Sequence, residues 1–388
     1  MVLIAKVYFE QSYDDFYPDR DRVYQVWAKY QQNGGELKDY PQTSGGIAPT
    51  MQQQIPEIET VTRYTSFGDW TFTMTDTKMK YSGRCIIADS CFFDILPRPM
   101  LIGNAKEVLS TPMYVLVSSR IAKNIGGDVI GKNFTVDSSP GRTMTIGGVF
   151  EEVPENSHSR YDVIVSMASA GRFMWEGSPT NMLGNDRYIS YVKLHKGVNP
   201  LALEEQVHTF VNSYFPPEEQ QKTGFNIGFS FHELDGLHKE LPQVKRMTWI
   251  LSLLAFALIF TAVMNYILIV ISSIVNRSKE VAVHKCYGAS ENNIHGMMFG
   301  EALVHIVLSL ILALLLILAF RGTVEELLAT SLDSLLLSNG SLVLLGICIL
   351  VFFVSGFMPG SLYARIPVAS AFRNYRENKR IWKKALLL

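Results

Sequence analysis

Two stretches of the chain bring together residue types that do chemistry in enzymes. HELDGLH sets His232 and Glu233 close to His238, and PENSHSRYD sets Ser157, His158 and Asp162 together. A zinc-binding helix needs its two histidines at i and i+4, so that both reach one metal from one side, and here the separation is six. Triads are assembled in space rather than in sequence, no GxSxG elbow is present, and Pro154 with Asn156 marks PENSHSRYD as a turn after a strand. Gly45-Gly46 and Gly147-Gly148 lack the GxxxxGK[ST] pattern that cradles nucleotide phosphates, so the chain carries no ATP-hydrolysing loop of that kind. No catalytic, metal or cofactor site is expected, and any energy source must come from a partner.

The other polar groups that invite attention lie within apolar runs at residues 247–275, 297–320 and 341–363, each long enough to cross a bilayer core that needs about 20 residues of helix. Asn265 falls mid-run in the first; Glu301 and His305 stand one turn apart in the second. Ionisable groups inside a membrane are functional candidates by default. Glu301 is close to a boundary and within reach of His305, which favours a structural or coupling role over a proton relay.

Lysine and arginine set the orientation. Arg277, Lys279 and Lys285 lie between the first two runs, and Arg365, Arg373, Arg376, Lys379, Arg380, Lys383 and Lys384 follow the third; the second connector has Arg321 against Glu325, Glu326 and Asp333. By the positive-inside rule the first connector and the tail face the cytoplasm. Residues 13–246 then form a large extracytoplasmic body. That body is mildly acidic, with 24 Lys+Arg and 29 Asp+Glu up to residue 246 against 11 and 7 beyond it. The basic cluster is a juxtamembrane tail, which suits a lipid bilayer and leaves nucleic-acid binding without a footprint. Cys85 and Cys91, six residues apart on an extended strand, lie about 20 Å apart unless a turn intervenes, so free thiols are the default.

The body reads as mixed α and β (α+β), followed by a helical membrane domain. Residues 60–64, 70–74, 84–88, 113–118, 143–150 and 188–194 are rich in β-branched and aromatic side chains and read as strands. Ser118 is a candidate N-cap for SRIAKNI, stopping at Gly126-Gly127. Asn199-Pro200 opens a second helix with Ala202, Leu203, Val207, Phe210 and Val211 on one face.

These residues carry a resemblance over nearly the whole chain. YDDFYPDRDRVYQV, IADSCFFDILPRPMLIGNAKEVL, PMYVLVSSRIAKNIGGDVIGKNFTV and IGGVFEEVPENSHSRYDVIVSM, in this order, resemble the periplasmic core domain of MacB-type permeases. MNYILIVISSIVNRSKEVAVHKCYGASENNI and the Pro367-containing tail resemble the FtsX-like permease domain of the same ABC transporter superfamily. The resemblance implies a bacterial inner-membrane, multi-pass permease with its large domain in the periplasm. It implies a cytoplasmic ABC ATPase partner that binds the ATP, a second permease half or a homodimer, and in some systems a periplasmic adaptor.

The family's ATPase-docking pattern, R-x-K-E-V-G-V-R-K-x-x-G-A, maps onto Arg277, Lys279, Glu280, Val281, Val283, His284, Lys285, Gly288 and Ala289. His284 stands where the family has arginine, which exchanges a permanent charge for one mostly absent near neutral pH. An ordinary solvated loop whose charges only set topology is the competing reading. The family function is mechanotransmission in export or extrusion of a peptide, lipid, lipoprotein or toxic compound; the alternative is a non-transporting regulator of an envelope hydrolase or sensor kinase. Residues 1–12 read as the remnant of a first transmembrane helix, 247–363 as the permease domain, and 364–388, ending WKKALLL, as a cytoplasmic tail leading toward a second half.

Overall fold

The computed structural model describes residues 2–350 apart from 138, 185, 337–339, 344 and 348, so the end of the third apolar run and the basic tail 364–388 lie outside the described residues. The chain divides into two compact units, one of Ser12–Val244 and the other of Met1–Gln11 with Lys245–Leu388.

The first unit, the body, is built on eleven strands among the described residues: β1 (Val23–Gln32), β2 (Lys38–Tyr40), β3 (Ile58–Met74), β4 (Lys80–Ala88), β5 (Met100–Ile102), β6 (Tyr114–Ser118), β7 (Asn133–Val136), β8 (Ser139–Phe150), β9 (Val163–Ser166), β10 (Ile189–Leu194) and β11 (Phe225–Glu233). Their order is β11-β1-β10-β3-β4-β9-β6-β8-β5, with β2 on β1 and β7 joining β3 to β8. That last pairing closes a ring, β3-β4-β9-β6-β8-β7, because the far end of β3 (Phe72–Met74) pairs with β7 while β7 pairs with β8. A closed ring leaves no edge among those strands. Its interior is filled by Trp70, Phe72 and Met74 of β3, Cys85 and Ile87 of β4, Val115 and Val117 of β6, Phe134 and Val136 of β7, Met144 and Ile146 of β8, and Val163 and Val165 of β9.

Alternation along the strands explains the second core. Ile86 and Ala88, Leu116 and Ile164 point the other way from their neighbours and pack with Tyr64, Phe92, Tyr161 and Tyr191. Strands β6 and β9 and the last four residues of β4, 85–88, are thus buried on both faces, which is why they read as continuous apolar runs. Pairs β4/β9 and β6/β8 are parallel, in an otherwise antiparallel sheet.

Two sequence-predicted strands, 60–64 and 70–74, are one strand here. The Ser66–Asp69 irregularity, with Gly68 at φ +73, is a bulge within β3 rather than its end.

Helices are numbered from α1 (Val2–Gln11) in the second unit; the body holds α2 (Ile47–Gln54), α3 (Phe92–Ile95), α4 (Ala105–Ser110), α5 (Ser119–Ile125), α6 (Ala170–Phe173), α7 (Glu204–Tyr214), α8 (Pro217–Thr223) and α9 (Gly236–Lys239). Ser118 caps α5 by accepting from the Ile121 amide. The helix expected from Pro200 starts as a 3-10 turn, Pro200–Leu203, before α7. Val207, Phe210 and Val211 of α7 and Ile47, Ala48 and Met51 of α2 form the third core against Val26, Val61 and Val192.

The second unit contains α10 (Pro242–Cys286) from Lys245 onward, α11 (Glu291–Ala319), α12 (Arg321–Leu328) and α13 (Leu332–Leu336), besides α1. Within α10, Pro242–Asn265 is long and apolar enough to cross a membrane. The second run, 297–320, lies on α11 (Glu291–Ala319); its Leu303–Ala319 part passes that test together with Arg321–Leu328, the two being bent by 72°. The third run is helical over its described residues but is described only to residue 350. Beyond the bend, the Arg321 guanidinium pairs with Glu325 at 3.0 Å and with Asp333 at 2.9 Å.

Candidate functional site

The turn between α10 and α11 has a defined stop and start. The Ala289 amide donates to the His284 carbonyl at 3.0 Å, the 6→1 bond of a Schellman stop, and Gly288 sits at φ +87, where a side chain is disfavoured. Ser290 then caps α11, its hydroxyl accepting from the Asn293 amide at 3.3 Å. Glu280 and His284 are exposed, Val283 is 43% exposed and Tyr287 is 89% exposed. The backbone of α10 carries Arg277, Lys279, Val281 and Lys285, whose side chains lie outside the described set, and Ala289 is half-buried. Val283 and Tyr287 are one helical turn apart, so the turn presents an apolar-aromatic tip beside an acid and an imidazole. The sequence pattern treated Tyr287 as a variable position; its exposure on a fixed stop is what the structure adds.

In the body, the PENSHSRYD turn builds a buried polar clamp. Asp14, wholly buried and at φ +60, accepts from the Ser157 hydroxyl at 3.1 Å and the His158 amide at 3.3 Å, and its second oxygen meets His158 Nδ1 at 2.8 Å. His158 Nε2 meets the Tyr191 hydroxyl at 2.5 Å, and Ser159 donates to the Tyr64 hydroxyl at 2.8 Å. Burial pushes the Tyr191 phenol well up, with Tyr64 and Asp14 adding to the rise. The clamp ties residues 12–14 to the turn after β8, since the Asp14 amide also donates to the Asn156 carbonyl at 2.9 Å.

It is not a hydrolytic triad. Ser157 faces the carboxylate rather than Nε2, and Asp162 is held elsewhere, by Arg120 at 2.6 Å and the Arg84 amide at 3.0 Å. Asp14 was invisible as a partner because it lies 143 residues before Ser157. The histidines of HELDGLH go to separate rings: His232 stacks on Trp27 at 4.2 Å, where burial lowers its pKa, and His238 on Tyr13 at 3.4 Å.

Comparison with known proteins places both halves. A family model for the MacB-like periplasmic core domain matches residues 1–210, and one for the FtsX-like permease C-terminal matches residues 252–368. The chain belongs to the MacB/FtsX-like permease family. Among solved structures, a domain assigned to a permease protein from Porphyromonas gingivalis is 32% identical, with a TM-score of 0.51, and the match covers 56% of this chain and 91% of that one. The periplasmic region of MacB from Actinobacillus actinomycetemcomitans aligns at 15% identity, TM-score 0.36, over 53% of this chain and 87% of that one. The extracellular domain of the noncanonic ABC-type transporter YknZ from Gram-positive bacteria aligns at 10% identity, TM-score 0.37, over 53% and 98%. A search of curated proteins gives no match.

MacB/FtsX-like permeases are membrane proteins with a periplasmic domain that work with a cytoplasmic ABC ATPase, and an ABC transporter permease-type role goes with the family. The polar residues expected within the spans lie apart from the turn along the chain. Asn265 and His305 lie on the exposed surfaces of α10 and α11, and Glu301 is on α11 one turn before His305.

Proposed function

We propose that the chain is the permease subunit of an ABC transporter and passes the work of ATP hydrolysis, done by a separate cytoplasmic ATPase, to its extracytoplasmic body. One observation carries the reading: α10 is a single unbroken helix of 45 residues, about 68 Å at 1.5 Å per residue, against a bilayer of about 40–45 Å with its headgroup regions. It begins nine residues after the last strand of the body and ends at the Gly288 stop. A continuous helix transmits displacement along its axis, whereas a loop would absorb it. Docking of the ATPase on the exposed tip, with Glu280, Val283, His284 and Tyr287, would move α10 at its cytoplasmic end.

In this reading the chain is not itself an enzyme, the nucleotide is bound by the partner, and the assembly is completed by a second permease half or copy in the bacterial inner membrane. Cargo would be engaged on the outer side, as peptide, lipid, lipoprotein or toxic compound. The test is reconstitution in vesicles with the ATPase subunit. Gly288→Val, which forces a β-branched residue to positive φ, and Glu280→Lys, which reverses an exposed charge, should each lower permease-dependent ATP hydrolysis with insertion intact, Gly288→Val the more severely. Unchanged hydrolysis in both variants would sink the assignment.

A further inference from the structure

Between the end of β11 at Glu233 and the start of α10 at Pro242 the chain makes only the four-residue helix α9 (Gly236–Lys239). A joint that short flexes unless something braces it. The neighbour that can do so is the segment by which the chain enters the body. β1 and β11 are antiparallel with Tyr24 opposite Glu233, so residues 12–22 arrive beside the point where residues 234–241 leave. The pairing continues one step past the strands, the Leu234 amide donating to the Val23 carbonyl at 2.9 Å.

Side chains carry it further. Arg20 Nε pairs with Asp235 at 3.2 Å and the Lys239 ammonium with Asp15 at 2.9 Å, so both pairs cross from one stem to the other. Within each stem the same groups meet again, Arg20 with Asp15 at 3.2 Å and Lys239 with Asp235 at 2.8 Å. The within-stem pairs are local to their own segments; the crossing pairs exist only when the stems lie side by side. The Tyr13 ring then stacks on His238, centroids 3.4 Å apart and planes within 7°, with Ser12 alone between it and α1. The entering stem is itself anchored in the sheet: Lys193 of β10 pairs with Asp19 at 2.6 Å, Arg22 pairs with Glu59 of β3 at 2.7 Å, and Tyr17 is buried in the same core as Leu234. Pro242–Val244, the first residues of α10, belong to the same compact unit as both stems.

We infer that Asp15, Arg20, Asp235 and Lys239, with the Tyr13–His238 stack, form a clasp that braces the joint between the body and α10, so that displacement of α10 reaches the sheet instead of flexing residues 234–241. The inference rests on the permease reading above, and the four charged groups are positioning residues that touch neither cargo nor nucleotide. Their side chains are 18–40% exposed, and exposed ion pairs contribute little to global stability. Their effect is on geometry. Because each carboxylate touches both cations, loss of Arg20 alone leaves Lys239 on Asp15 and Asp235, crossing contact included, so the clasp opens only when both cations or both carboxylates are removed.

The experiment uses the full chain in vesicles with its ATPase subunit. Cys91, Cys286 and Cys348 are replaced by serine, the buried Cys85 is kept, and Lys196→Cys in the body and Leu327→Cys in the second unit, both exposed positions, carry spin labels. Pulsed electron paramagnetic resonance gives the distance between the labels without nucleotide and after trapping with ATP and vanadate. In the native background, trapping should shift that distance. Arg20→Gln/Lys239→Gln should lose most of the shift and broaden the nucleotide-free distribution, while the thermal unfolding midpoint stays close to native. Asp15→Asn/Asp235→Asn removes the same four contacts from the other side and should behave alike. Asp15→Lys/Arg20→Glu/Asp235→Lys/Lys239→Glu rebuilds the clasp with every sign reversed and should recover most of the shift.

A native shift in the variants that lack both cations or both carboxylates overturns the clasp. So does a loss that the sign-reversed set fails to recover, because damage to the stems then accounts for it. If one of the two neutral pairs fails to insert, the other decides by the same criterion. Failure of the permease reading looks different: no shift on trapping in the native background removes the coupling itself, whereas a native shift that survives in every clasp variant removes the clasp alone.

Discussion

Asp14 is the residue on which the N-terminal segment of the body depends. Its carboxylate accepts from Ser157 and His158 without exposure to water, so truncation leaves the His158 amide and ring without their acceptor, while the Ser157 hydroxyl keeps only the Ser159 carbonyl at 3.1 Å. Stranded buried donors cost about 1–3 kcal/mol, whereas loss of one hydrogen bond to a neutral partner costs about 0.5–1.5 kcal/mol. Asp14→Ala should therefore lower the denaturant midpoint of the body more than Tyr191→Phe, which removes a single neutral hydroxyl, shared by His158 Nε2 and Tyr64. Equal midpoints for the two variants would mean that the carboxylate is not the centre of the clamp. Neither change should alter the exposed turn at Gly288, which shares no residue with the clamp.

At the scale of elements, β7 is short but closes the ring of β3, β4, β9, β6 and β8. Phe134, 1% exposed, is its inward anchor and sits 4.9 Å from the Phe72 ring centre. Phe134→Ala should cost about 3–5 kcal/mol, the range for emptying a buried aromatic site. A surface change on the same hairpin, Thr145→Ala, should cost far less, since Thr145 is only half-buried and its hydroxyl meets Asn133 at 2.8 Å near solvent. Thermal unfolding followed by near-ultraviolet circular dichroism measures both. A Phe134→Ala protein as stable as the native one would show that the ring is held without β7.

At the scale of the whole molecule, topology is the property most open to direct test. Cys286 is an exposed native thiol on the turn that the charge pattern assigns to the cytoplasm, while Cys85 is buried in the ring. A membrane-impermeant thiol reagent added outside should leave Cys286 unlabelled, and should label cysteines placed at Glu152 in the body and at Asp333 in the second connector, both exposed. Labelling of Cys286 from outside would reverse the orientation and remove the ATPase from its proposed site.

The strands at 84–88, 113–118, 143–150 and 188–194 were legible because apolar and β-branched runs bury wherever they go, and the Ser118 cap is local chemistry that needs no distant partner. The family was legible for a related reason: the order of several motifs survives translation into sequence even when each is weak. Ring closure through β7 was not legible, because pairing between residues 72–74 and 134–136 is a long-range choice among similar edges. The same limit hid Asp14 from His158. Those groups find each other only after the chain has folded, because a buried charge is stable solely where the fold delivers its partner, and nothing in the neighbouring residues records which distant segment that will be.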